Sequence, residues 1–155
     1  MRVLVLEGLV RESLAVVRSL GRQGISVDVG DPHRINPARF SKYVSDFYKY
    51  PDPKESGDEF YNWLLSQVKK VKYDMVFPLN DHTYEICTRF QSQLQQYTRV
   101  GVNSLEKFEF ARDKAKTFRF AKETGCIPIP QTWIPESLDE LKSIIEELPD
   151  FPVLL

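Results

Sequence analysis

The run Val3-Leu4-Val5-Leu6 is bounded by charge on both sides and is four apolar residues long. That is too short for a core helix, and it lacks the polar alternation of a half-solvated strand, so it reads as a strand buried on both faces, as in a parallel sheet. A parallel sheet requires crossover connections, and the next segment supplies one. Leu14, Val17 and Leu20 recur at helical spacing until Gly21 and Gly24, and Ile25, Val27 and Val29 then alternate with polar residues as far as Gly30-Asp31-Pro32. The first thirty residues therefore predict a βαβ unit.

The pattern continues. Residues 40–50 read as a loop into a third strand closed by Pro51 and Pro53. Ser56-Gly57-Asp58-Glu59 is a capping box opening a helix with Phe60, Trp63, Leu64 and Val68 on one face. Asp74 to Pro78 predicts a fourth strand, Asn80 or Asp81 caps a helix carrying Ile86 and Phe90, and Arg99 to Val102 completes the sheet. The expected fold class is α/β, a Rossmann-like, mostly parallel sheet with helices on both faces over residues 1–103.

The texture changes in 104–155. Asn103 with Glu106 predicts a capping box for one helix whose apolar stripe runs Leu105, Phe108, Ala111, Ala115 and Phe118 to Gly125. Thr132-Trp133-Ile134 reads as a strand. Ser137 with Glu140 starts a helix whose Leu138, Leu141, Ile144, Ile145 and Leu148 face a core, and Phe151 to Leu155 reads as strand again. An apolar strand at a terminus has unpaired backbone, so the chain is expected to be part of a longer protein. Its last segment is then loosely held or paired with a second copy as a homodimer.

Composition excludes several classes. A net charge of -1, from 21 Lys+Arg against 22 Asp+Glu, gives no pull toward nucleic acid. No run is long or apolar enough for a membrane span or signal peptide. Cys87 and Cys126 form no redox pair or disulfide framework, which points to a cytoplasmic protein, and His33 and His82 lack partners at zinc-ligand spacing.

Ligands of parallel α/β sheets sit at the carboxyl ends of strands. The first such loop, Glu7-Gly8-Leu9-Val10-Arg11-Glu12, has one glycine and two glutamates, a poor match to a dinucleotide-binding loop. Asp28 and Asp31 read as turn formers before ribose ligands. The loop from Pro78 to Glu85 opens a helix, so its free amides favour an anion, and Asp81, His82 and Glu85 are placed to position an amine or carboxylate. Arg112, Lys114, Lys116, Arg119 and Lys122 make a basic stripe, by default a solvated helix face.

Three motifs lift Lys114 above that default. Asp113-Lys114, Gly125-Cys126-Ile127-Pro128-Ile129-Pro130 and Pro152-Val153-Leu154-Leu155 occur in this order, after Phe40-Ser41-Lys42-Tyr43, Pro51-Asp52-Pro53 and Asp74-Met75-Val76-Phe77-Pro78-Leu79-Asn80-Asp81. Together they resemble the ATP-grasp superfamily of ATP-dependent carboxylate-amine ligases, especially its carbamoyl-phosphate-synthase-like and biotin-carboxylase-like branch. The resemblance implies a preATP-grasp domain over 1–103, then a linker helix and the beginning of an ATP-grasp domain over 104–155. It implies that Lys114 helps bind ATP phosphates, and that the second nucleotide lysine, the magnesium ligands and the sheet over adenine lie outside this chain.

The implied reaction activates a small-molecule carboxylate as an acyl phosphate for attack by an amine, with lysines and magnesium neutralising the developing charge. ATP and magnesium belong to the complete enzyme, and this chain alone is expected to be inactive and to hold neither tightly. Glu7, Gly8, Asn80 and Asp81 are the expected substrate-binding positions on the acceptor side, and no residue here is assigned to catalysis or metal. The alternatives are a non-catalytic module holding a nucleotide or sugar, and a domain of an NAD(P)-dependent oxidoreductase.

Overall fold

A computed structural model describes residues 1–125 and 127–148. The chain divides into two compact units, Met1–Phe108 and Glu109–Leu155.

In the first unit, β1 (Arg2–Val5), β2 (Ser26–Asp31), β3 (Val44–Lys49), β4 (Met75–Phe77) and β5 (Arg99–Val100) form one sheet in the order β3-β2-β1-β4-β5, all neighbours parallel. Helices α1 (Arg11–Arg22), α2 (Gly57–Lys70), α3 (Asp81–Arg89) and the short α4 (Gln91–Leu94) connect the strands. Successive side chains of a strand point to opposite faces, and β1 therefore divides its apolar run between two cores. Val3 and Val5 pack with Val17, Val27, Val29 and Ala38. Leu4 and Leu6 pack with Phe60, Leu64, Val76, Cys87 and Leu94. These residues are buried, and each large aliphatic or aromatic side chain contributes about 1.5–3 kcal/mol of transfer free energy.

The strand order makes β1 the pivot of the sheet. The chain leaves it through α1 to β2 on one side, and β4 lies on the other. Where strand order reverses, the loops diverge and leave a crevice at the carboxyl ends, here between the loops after β1 and β4.

The sequence reading needs correction in detail. Helix α1 runs through Gly21 to Arg22, and β5 ends at Val100. Asp28 is a polar residue of β2 but fully buried. Its Oδ2 accepts the Tyr73 hydroxyl at 2.7 Å and pairs with Arg2 Nη2 at 2.8 Å, so a charge partner offsets the desolvation that alternation would have avoided. Burial and this carboxylate hold the Tyr73 phenol far above its usual range. Ser56 caps α2, its Oγ accepting the Glu59 amide at 3.3 Å.

The linker is two helices, α5 (Leu105–Arg112) and α6 (Lys114–Thr124). Asp113 is extended (φ -81°, ψ 99°), and its carboxylate accepts the Lys116 amide at 3.0 Å, so capping a new helix takes precedence over continuing the old one. The basic stripe is accordingly split. Ser104 rather than Asn103 caps α5, its hydroxyl accepting the Lys107 amide, while the Asn103 amide donates to the Tyr84 hydroxyl at 2.7 Å. Gly125 ends α6 in the left-handed region at φ 60°.

Residues 132–134 are not a strand, because no strand among the described residues offers them a ladder. Helix α7 (Leu138–Glu147) has a capping box: Ser137 Oγ accepts the Glu140 amide at 3.1 Å and the Glu140 carboxylate accepts the Glu136 amide at 2.8 Å. Its apolar face is not covered as expected, since Leu138 is 74% exposed and Ile145 50%. Cys126 and the expected strand Phe151 to Leu155 lie outside the described residues.

Candidate functional site

The loop after β1 must turn the chain from strand to helix within a few residues. It does so at Glu7, whose φ of 57° is the positive value among non-glycine residues described, at a conformational cost of about 1–2 kcal/mol. The turn is held by Ser13, whose hydroxyl lies against both the Leu6 and Glu7 carbonyls. The loop amides are also committed. Glu7 N–H donates to the Tyr50 hydroxyl at 3.1 Å, Gly8 N–H to the Gly30 carbonyl at 3.3 Å, Leu9 N–H to Asp31 Oδ2 at 2.9 Å and Val10 N–H to the Glu7 carbonyl at 3.1 Å. A dinucleotide loop needs such amides free for pyrophosphate, so this one is not built as a phosphate cradle.

Glu7 is 7% exposed. Its Oε2 accepts the Leu79 amide at 2.8 Å, tying the β1 loop to the β4 loop. Oε1 is buried without a hydrogen-bond partner, a deficit of about 1–3 kcal/mol for a polar group and more for a charge. Burial pushes the carboxyl up to about 7, and Asp31 adds to the rise. The Thr83 hydroxyl, the Leu79 amide and the Tyr50 hydroxyl oppose it, although the single Thr83 proton is directed at the Asn80 carbonyl, 3.1 Å away.

Glu7 borders a cavity of about 100 Å³ that Asp31, His33, Tyr50, Asn80 and His82 also line. A wider groove of about 600 Å³ shares His33, Tyr50 and Asp52 with it and continues along Lys49, Glu55 and Glu59. Tyr50 is positioned by edge-on packing on Phe60, centroids 5.0 Å apart. Burial, and then the Glu7 charge, keep its phenol protonated far above the usual range.

Glu7 and Asn80 thus meet at one cavity. Asn80 is also the α3 cap, its Oδ1 accepting the His82 amide at 3.1 Å. Gly8 does not line the cavity, and a Cβ there would sit 2.3 Å from Asn36 Oδ1 and 2.8 Å from Val29 Cγ1, so packing alone requires glycine. Asp81 is exposed on the first turn of α3 and outside the cavity lining. Asp31 is spent on the Leu9 and His33 amides. Lys114 is the exposed first residue of α6, in the second unit. Tyr50, His33 and Thr83 were not foreseen. The place of Tyr50 at the end of a strand, before Pro51, is a readable signal, but the reach of its hydroxyl to Glu7 is not.

Among the described residues no group of three or more His, Cys, Asp or Glu is placed to hold a metal ion. One exposed lysine does not make an ATP site. No described helix is long and apolar enough to cross a membrane.

No protein-family model and no curated protein matches the sequence. Solved structures do match its fold. Glycinamide-RNase-transformylase T from Mycobacterium tuberculosis superposes with a TM-score of 0.62 at 18% identity, over 93% of this chain and 38% of that one. N5-carboxyaminoimidazole ribonucleotide synthetase from Thermotoga maritima gives 0.58 at 19%, over 94% and 36%. The L-amino acid ligase from Bacillus licheniformis gives 0.62 at 12%, over 94% and 41%. The chain therefore spans well under half the length of these structures. Its parallel sheet and helices share the fold of the matching part of these structures.

Proposed function

We propose that this chain is the amino-terminal part of a cytoplasmic ATP-dependent carboxylate-amine ligase that works through an acyl phosphate. In this reading residues 1–103 are the preATP-grasp domain and 104–155 the linker and the opening of the ATP-grasp domain. The observation that most supports it is the fold agreement over 93% of the chain with structures of which it spans only 38%. A switch-point crevice with a buried carboxylate at its base supports it further. The contribution of this chain is the crevice, where Glu7 and Asn80 bind the acceptor side of the reaction, with Gly8 and Asp81 shaping the loops that carry them. Lys114 contributes one charge toward nucleotide phosphates. The remaining groups that handle ATP and magnesium belong to the rest of the enzyme.

The test is ADP release from Mg-ATP by the protein extended along its reading frame, given panels of carboxylic acids and amines. Release that needs both substrates is expected. In that protein Lys114→Ala lowers ATP affinity about tenfold, the 1.4 kcal/mol of one charged phosphate contact, without changing the melting temperature. Unchanged ATP affinity removes Lys114 from the nucleotide site. Tight Mg-ATP binding without turnover favours a non-catalytic module, and tight NAD(P) binding an oxidoreductase, against which the committed amides of the Glu7 loop already argue.

A further inference from the structure

Away from the crevice, the sheet face covered by α1 gathers one sign of charge. Arg18 and Arg22 are exposed on α1 one turn apart and flank Gly21, where a Cβ would sit 2.4 Å from the Tyr43 Cβ. The segment from β2 to β3 therefore runs beside the last turns of α1, and it brings Arg34, Arg39 and Lys42 to the same flank. Arg39 covers the Phe47 ring at 4.6 Å and Lys42 the Tyr43 ring at 5.2 Å, and both rings pack on the core that holds Val17 of α1. No Asp or Glu occurs in 13–27 or 32–45. Asp46 alternates to the other face of β3, where it pairs with Arg2 at 2.7 Å. None of the five cations has an ion-pair partner among the described residues, so a chain of net charge -1 carries a positive patch that nothing local cancels.

A basic face is by default only solvated. Two apolar side chains set this one apart: Ile35 is 80% exposed and Phe40 73%, each next to an arginine of the patch. The backbone that carries them is fixed. Between them Asn36 and Ala38 are buried, the Ala38 amide donates to the Gly8 carbonyl at 3.1 Å, the Arg39 amide to Asn36 Oδ1 at 2.9 Å, and Arg39 Nη1 to the Arg34 carbonyl at 2.6 Å. Binding here costs little ordering. Exposed apolar anchors among arginines have the composition of a protein interface, and planar guanidinium forks, four of the five cations, match carboxylates. A nucleic acid would need open rings for stacking, and the Tyr43 and Phe47 rings are capped by this chain's own cations. A lipid surface would need a broad apolar face, and α1 spends its apolar stripe on the core.

We propose that this face docks an acidic segment of a partner protein, with its carboxylates on Arg18, Arg22, Arg34, Arg39 and Lys42 and its interspersed apolar side chains on Ile35 and Phe40. The inference does not depend on the ligase reading.

The test uses the 155-residue chain itself, titrated by fluorescence anisotropy with a labelled peptide of Glu-Glu-Leu-Glu-Glu-Phe repeats. Saturable binding that weakens as salt rises is expected, about tenfold tighter than that of Gln-Gln-Leu-Gln-Gln-Phe or Glu-Glu-Ser-Glu-Glu-Ser repeats. Arg18→Glu with Arg22→Glu is expected to lower the affinity about tenfold and Phe40→Ser about threefold. All three side chains are exposed, and the comparison of peptides on the wild-type chain stands whether or not the variants fold. Absence of binding, equal binding of the Gln or Ser peptide, or full affinity in a folded Arg18→Glu, Arg22→Glu chain overturns the site. Tighter binding of oligouridylate or of phosphatidylserine vesicles gives the face to nucleic acid or membrane and overturns the protein partner. ADP release judges the ligase reading separately.

Discussion

The two units spend their apolar residues differently. In Met1–Phe108 the aliphatic and aromatic side chains close on each other across both faces of a sheet, whereas in the second unit Phe110, Phe120, Ile127, Trp133, Leu138 and Ile145 remain exposed. Helices α2 and α7 show the contrast most directly. Both open on a serine cap and both carry an apolar stripe, yet Phe60 and Leu64 of α2 are fully buried while Leu138 of α7 is among the most exposed apolar residues described. Caps and spacing are thus enough to specify a helix, and burial depends on whether another element supplies a surface.

The comparison can be broken most forcefully by paired truncations. Phe60→Ala is expected to cost about 3–5 kcal/mol through lost contacts and a residual cavity, and Ile145→Ala less than about 0.5 kcal/mol, as for an exposed position. Denaturant titration of both variants measures this. Similar losses would show that α7 is covered in solution as thoroughly as α2.

A smaller effect comes from Glu7. Its carboxyl sits at about 7 when folded against an ordinary 4.5. Below 4.5 both folded and unfolded chains carry the proton. Between 4.5 and 7 the unfolded chain has lost it and the folded chain keeps it, so this contribution to stability falls as pH rises and is fully lost above the folded value. The penalty approaches about 3 kcal/mol at pH 8. Melting temperatures of wild type and Glu7→Gln measured from pH 4 to 8 should diverge across this window, with wild type declining relative to the variant. Parallel curves would mean that Glu7 is hydrated rather than buried.

Two glycines sharpen the contrast further. Gly8→Ala meets Asn36, itself buried and holding the Arg39 amide and the His33 carbonyl, so overpacking should cost about 2–3 kcal/mol, part of it recovered when Asn36→Ala is added. Gly125→Ala has nothing within 4 Å of its Cβ and carries only the left-handed backbone penalty of about 1 kcal/mol. Thermal denaturation of the three variants decides. Recovery absent from the double variant would mean that Gly8 is limited by its backbone instead.

Much of the first unit is legible in the chain. The doubly buried strand at residues 3–6, the caps at Ser56 and Asn80 and the turns at Gly30 and Pro51 each have a local cause, and the resulting strand–helix order implies a parallel sheet. The misplacements are competitions between neighbours: Ser104 against Asn103 for one cap, and Asp113 against the helix it interrupts. Asp28 escaped alternation because its partners Arg2 and Tyr73 are distant in sequence. The candidate site was half legible. The strand-end rule picks out the Glu7 and Asn80 loops, but nothing local tells that Gly8 is there for Asn36, that Tyr50 closes the cavity, or that one oxygen of Glu7 is left unfilled.

Periodicity, capping residues and turn chemistry act over a few residues, and they sufficed to determine strands, helices and a parallel α/β class from the order of amino acids. Strand order, the placing of β4 beside β1, and with it the meeting of Glu7 with Leu79 and Asn80, were decided only in three dimensions. Desolvation and hydrogen-bond saturation are properties of everything that surrounds an atom, and those surroundings come from segments more than seventy residues apart.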